Sequence, residues 1–101
     1  MKENEEKKTI VLDLRHVMAE ESIDTFTEID LSKQIGNLIH RNAGDIGLDD
    51  KARELYHNGT VEVDMSTFNM FKAIVTEAPI LLYCKNAILK EMNKAIEAYN
   101  K

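Results

Sequence analysis

The chain has 101 residues, 44% hydrophobic and 31% charged, the size and balance of one globular domain. Its net charge of −5 argues against broad binding to nucleic acid or an acidic membrane, both of which need surplus Lys and Arg to displace counterions. The single cysteine, Cys84, excludes an intrachain disulfide framework, and no apolar run approaches the roughly 18 residues of a membrane span.

The opening MKENEEKK has no signal-type apolar stretch behind it. It reads as a disordered, solvated tail over residues 1–8 of a cytoplasmic protein, with residues 9–101 forming a single domain. TIVLDLRHV follows, with Ile10, Leu12 and Leu14 alternating with Val11, Asp13 and Arg15. Period-2 patterning predicts a strand with one buried face. AEESIDTFTEID reads as an acidic loop, within which TFTEI (25–29) is a short second strand paired back on the first.

DLSKQIGNLIHRNAG is a helix. Asp30 is placed to cap it, and Leu31, Ile35, Leu38 and Ile39 make one apolar stripe. Gly36 interrupts that helix at about 1 kcal/mol against alanine, which predicts a close backbone approach by a neighbour. GLDDKARELYHNG repeats the offsets with Leu48, Ala52, Leu55 and Tyr56. Asp49 and Asp50 suit the positive end of its dipole, and Asn58-Gly59 stops it. TVEVD is a short strand. MSTFNMFKAIVTEA is a helix with Ser66 as expected cap and an inner face of Phe68, Phe71, Ile74, Val75 and Ala78. After Pro79, ILLYCKNAILKEMNKAIEAYNK is the longest helix, with Leu81, Cys84, Ile88, Met92, Ala95 and Tyr99 along one side. At ~1.5 Å per residue it spans roughly 30 Å. Its far end is expected to overhang the core, leaving Met92, Ile96 and Tyr99 as an interaction surface that a second copy covers. The whole predicts an α+β fold: four helices packed on a small two- or three-stranded sheet. Charge is graded along it, from −5 over residues 1–30 to +2 over 65–101, so the acidic front can face the basic last helix of its own chain or of a neighbour.

Chemistry-bearing residues are few. His40 and His57 are 17 positions apart on successive helices, without the i, i+3 or i, i+4 spacing of a zinc pair on one helix. Antiparallel packing sets His40 beside the start of the second helix, with His57 roughly 13 Å further along. His16 and Asp13 fall on opposite faces of a strand. Cys84 lies on an apolar helix face, not in the electropositive setting of a nucleophile. Ser22, Ser32 and Ser66 lack a nucleophile motif. DIGLDD lacks the alternating oxygen ligands of a calcium loop, and the glycines at 36, 44, 47 and 59 form no phosphate loop. Met65, Met70, Met92, Phe68 and Phe71 have helical spacing and read as core. The sequence therefore assigns no catalytic, cofactor-binding or metal-ligating residue, and predicts a non-enzyme.

The order of IDLSKQIGNLI, ARELYHNGTVEVD and FKAIVTEAPILLYCKNAILKEM resembles a group of small uncharacterised proteins encoded by phages and prophages, over residues 9–93. The resemblance implies a mobile-element setting and a role by contact with other proteins. The leading expectation is thus a non-enzymatic phage accessory or assembly protein acting through protein–protein contacts, as a homodimer joined by its C-terminal helix. One alternative is a metal- or small-ligand-binding domain using His40, His57 and a nearby aspartate. Another is a DNA-binding regulator using helices 31–42 and 49–57, although Asp49, Asp50 and Glu54 share the second helix with Lys51, Arg53 and His57.

Overall fold

Eight elements follow one another in the computed structural model, which describes residues 9–100: β1 (Ile10–Asp13), β2 (Val17–Ser22), β3 (Thr25–Ile29), α1 (Ser32–Asn42), α2 (Ile46–Asn58), β4 (Thr60–Val63), α3 (Met65–Glu77) and α4 (Leu82–Tyr99). The fold is α+β. The expected tail over residues 1–8 lies outside the described residues.

Among the described residues the strands make two antiparallel pairs, β1–β4 and β2–β3, in place of one small sheet. TFTEI is a strand, as its β-formers predict, but it pairs with β2 and not with β1. Val17–Ser22, read from sequence as strand end and acidic loop, is the missing partner. Val17 and Ala19 are buried there, while Met18 and Glu20 alternate outward. The acidic residues that resembled a loop occupy the solvated face and the hairpin end. Asp24 takes a left-handed conformation (φ 63°) in the turn, which aspartate tolerates better than most side chains.

The two sheets are separated because the chain turns at Leu14–His16. Leu14 is fully buried. Its N–H donates to the Gly59 carbonyl at 3.1 Å, and its carbonyl accepts from Leu31 N–H at 2.9 Å. One residue thus ties the end of α2 to the start of α1. In β1–β4, Ile10 faces Val63 and Leu12 faces Val61, and all four are buried.

The helices present the predicted stripes. Leu31, Ile35, Leu38 and Ile39 of the first, and Leu48, Ala52 and Leu55 of the second, are buried. The starts differ in detail. Asp30 accepts from Ser32 N–H (3.0 Å) and Ser32 Oγ–H (2.6 Å). Asp45 caps α2 by accepting from Leu48 N–H at 2.8 Å. Asp64, not Ser66, caps α3, accepting from Thr67 N–H. Helix α3 begins at Met65, so Ser66 is already inside its first turn. Helix α4 begins at Leu82, and Leu81 is exposed ahead of it. Lys85 Nζ donates to the Thr76 carbonyl at 2.9 Å, satisfying a carbonyl at the end of α3.

One apolar cluster joins every element except β3, whose Ile29 packs against it half-buried. Helix α4 lies along β1 and β2 and beside α3. This corrects the expected overhang: Met92 is 0% exposed, so it is core and cannot form a contact surface. Ile96 and Tyr99 are half-buried against the same cluster. No helix among the described residues is long and apolar enough to cross a membrane.

Candidate functional site

Two surface features gather side chains of distinct chemistry. The first is the seam between α1 and α2. These helices run antiparallel: Lys33 Nζ reaches the Tyr56 carbonyl (3.3 Å), Gly36 lies against Ala52 and Tyr56, and His40 meets Asp49. A Cβ at Gly36 would stand 3.0 Å from both the Ala52 carbonyl oxygen and Tyr56 Cβ. The close approach predicted from that glycine is therefore present. The pair is an antiparallel hairpin in contact along its length, unlike the crossed helices of a helix-turn-helix.

Asp49 organises the polar end of this seam. His40 Nδ1 donates to Asp49 Oδ1, and Arg53 Nε donates to Asp49 Oδ2 at 3.0 Å. The His40 hydrogen bond, then that from Arg53, holds the Asp49 carboxyl below its ordinary range. Asp49 thus serves as more than the helix-start charge its position implied. His40, Arg53, Tyr56 and His57, with Asn37 and Gly36, line one cleft of about 240 Å³. His57 packs edge-on against the Tyr56 ring (5.2 Å between centroids), and Lys33 Nζ sits 4.4 Å from the centre of that ring. Sequence spacing separated the two histidines; the structure puts both on the walls of the same cleft. Among the described residues, no group of three His, Cys, Asp or Glu side chains comes together as a metal site would require.

The other polar candidates are engaged elsewhere. His16 Nδ1 bonds Glu28 Oε2 at 2.9 Å, not Asp13. Asp13 is forked by Arg15: Nε to Oδ1 at 3.0 Å and Nη2 to Oδ2 at 2.8 Å, with Arg15 N–H adding a third bond. Arg15 thereby lowers the Asp13 pKa to about 2. Cys84 is buried, as its apolar position predicts.

The second feature is apolar. Met18, Phe26 and Leu82, exposed by 46, 51 and 69%, line a groove of about 360 Å³ between the β2–β3 hairpin and the start of α4, together with Glu20, Tyr83 and Lys90. Lys90 Nζ lies 6.0 Å from the Phe26 ring centre. Met18 and Phe26 share the outer face because the register sets Met18 opposite Glu28 and Glu20 opposite Phe26. Sequence reasoning passed over this groove. Which face of a strand is inside depends on its partner, and β2 was not recognised.

Comparison with known proteins adds no relative: no family model, no curated protein and no solved structure matches the chain.

Proposed function

We propose that the protein is a non-enzymatic module acting through protein–protein contacts, and that its first contact is with a second copy of itself across β3. The observation that carries this reading is an open strand edge beside an exposed apolar groove. Among the described residues β3 pairs only with β2, so its outer row of N–H and C=O groups is available to another strand. Large apolar side chains gathered at one exposed place mark interaction surfaces more often than solvated ones.

A second copy fits this edge by symmetry and charge. A two-fold axis through Thr27 sets Phe26 opposite Glu28 of the partner subunit on the outer face, an isologous contact. Lys90, beside Phe26, then lies near that carboxylate. The acidic front of one chain meets the basic last helix of the other, in line with the charge gradient. The two hairpins join as a four-stranded sheet, and the two grooves flank it. The contact is thus at the hairpin rather than the far end of α4. The resemblance to phage and prophage proteins adds an accessory or assembly role to this proposal.

Light scattering across micromolar concentrations tests it. The expected result is a dimer that Phe26→Asp or Thr27→Pro converts to a monomer with an unchanged circular dichroism spectrum, whereas Ile96→Asp leaves it dimeric. A wild-type monomer at all concentrations, or a dimer lost only in Ile96→Asp, rejects the β3 contact.

A further inference from the structure

We propose that the α1–α2 cleft is a binding site for a small phosphorylated molecule, held by Arg53, His40 and His57. This is a second activity on a surface separate from β3.

Three observations lead to it. The first is the division of labour around Asp49. Its two oxygens each take one donor, His40 Nδ1–H and Arg53 Nε–H. That fixes the imidazole and the guanidinium by one edge each. What is left of each group is the part an anion needs. With Nδ1 committed, His40 keeps Nε2 for a ligand. With Nε committed, Arg53 keeps its two Nη nitrogens, and among the described residues nothing accepts from them. A carboxylate that takes one ring nitrogen in this way fixes the orientation of the imidazole and leaves the other nitrogen pointing outward. Both groups border the cleft.

The second is the sign of the local charge. The chain carries −5 overall, yet the residues lining this cleft include Arg53 and two histidines and no carboxylate; Asp49 stands behind His40 and Arg53, bonded to both. Two other acids at α2 are turned to different tasks. Glu54 bonds Lys51 Nζ and Glu62 N–H, and Asp45 caps the helix start. A cationic cleft on an acidic protein selects a small anion, because a polyanion meets the repulsion of the remaining surface.

The third is size and shape. A volume of about 240 Å³ lies below the range of drug-sized ligands, roughly 300–1,000 Å³. Gly36 and Tyr56 supply an apolar strip beside the donors, suited to the carbon skeleton of a small ester. A phosphomonoester matches the donor set better than a carboxylate. Its three terminal oxygens spread out of one plane, so a guanidinium fork and imidazoles from two helices can each take one.

Proton–nitrogen NMR of the full chain tests the proposal, with inorganic phosphate and ribose 5-phosphate as probes at constant ionic strength and pH 6.5. The expected result is saturable movement of the Arg53 Nε–H and of the His40 and His57 ring signals, with ribose 5-phosphate binding more tightly than inorganic phosphate. Arg53→Gln weakens that binding about tenfold, the loss of one charge-assisted hydrogen-bond pair. Arg53 is well exposed, so the variant folds, and its backbone spectrum verifies that. Matched sodium chloride producing the same shifts, acetate binding as tightly as phosphate, or Arg53→Gln binding unchanged would each overturn the site. A 5′-phosphorylated oligonucleotide binding more tightly than ribose 5-phosphate would overturn the small-molecule source.

Discussion

Asp13, Arg15 and Gly59 form a small device whose parts are distant in sequence. Gly59 has φ +81°, and a Cβ there would fall 2.3 Å from Arg15 Cγ. The glycine is therefore required twice, for its left-handed backbone and for the arginine lying across it. Gly59→Ala is expected to cost roughly 1–2 kcal/mol in urea denaturation, since it combines backbone strain with displacement of Arg15 from Asp13. The fork also has a pH signature. The folded pKa of Asp13, about 2, lies below its ordinary value of 3.8. The stabilisation is therefore complete above about pH 4 and is lost as pH falls towards 2. The side chain is 41% exposed, and solvent screening reduces the contribution to roughly 1 kcal/mol or less. Denaturant midpoints at pH 5 and pH 2.5 should converge more closely for Asp13→Asn than for the parent. An equal fall in both would reject the fork as a source of acid sensitivity. Asp30 and Asp49, also lowered by their hydrogen-bond partners, add to the acid loss in the same direction.

Elements announced themselves where local chemistry sufficed. The α1 and α2 stripes, the Asn58-Gly59 stop and the spacing demand at Gly36 were all legible, because a helix satisfies its own backbone and shows its buried face every three to four residues. Gly36 gives a test in which two effects oppose each other. Alanine improves helix propensity by about 1 kcal/mol, but its Cβ meets a backbone oxygen and Tyr56 Cβ at 3.0 Å. Neither neighbour is the free end of a flexible chain, so the clash wins. Gly36→Ala is expected to lose about 1–2 kcal/mol net and to alter the His40–Asp49 contact further along the seam. A gain in thermal stability would show that the helices separate at little cost. Strand β2 was the element least legible, because only two of its six residues are buried and its hydrogen-bond partner has to be known before Met18 and Glu20 can be assigned to the outside.

At the level of the molecule, the two surfaces proposed for contact and for anion binding both depend on where elements lie against one another. Met92 illustrates the point. Helical spacing put it on the apolar side of α4, and length suggested that the side ran out beyond the core. In the fold α4 lies along β1 and β2, and Met92 is sealed. Met92→Ala is accordingly expected to cost about 2–5 kcal/mol as a cavity, read as a lowered urea midpoint in monomer and dimer alike. A loss of association with unchanged stability would return Met92 to the surface. The sequence by itself determined the helices, their stops, the apolar faces and the α+β class, since these follow from periodicity and from backbone chemistry within a few residues. Only the tertiary structure decided that the described strands form two pairs, that Met92 of α4 is covered by its own chain, and that His40 and His57 border one cleft. Those outcomes rest on pairings between segments far apart along the chain, and no local pattern records which partner a face will meet.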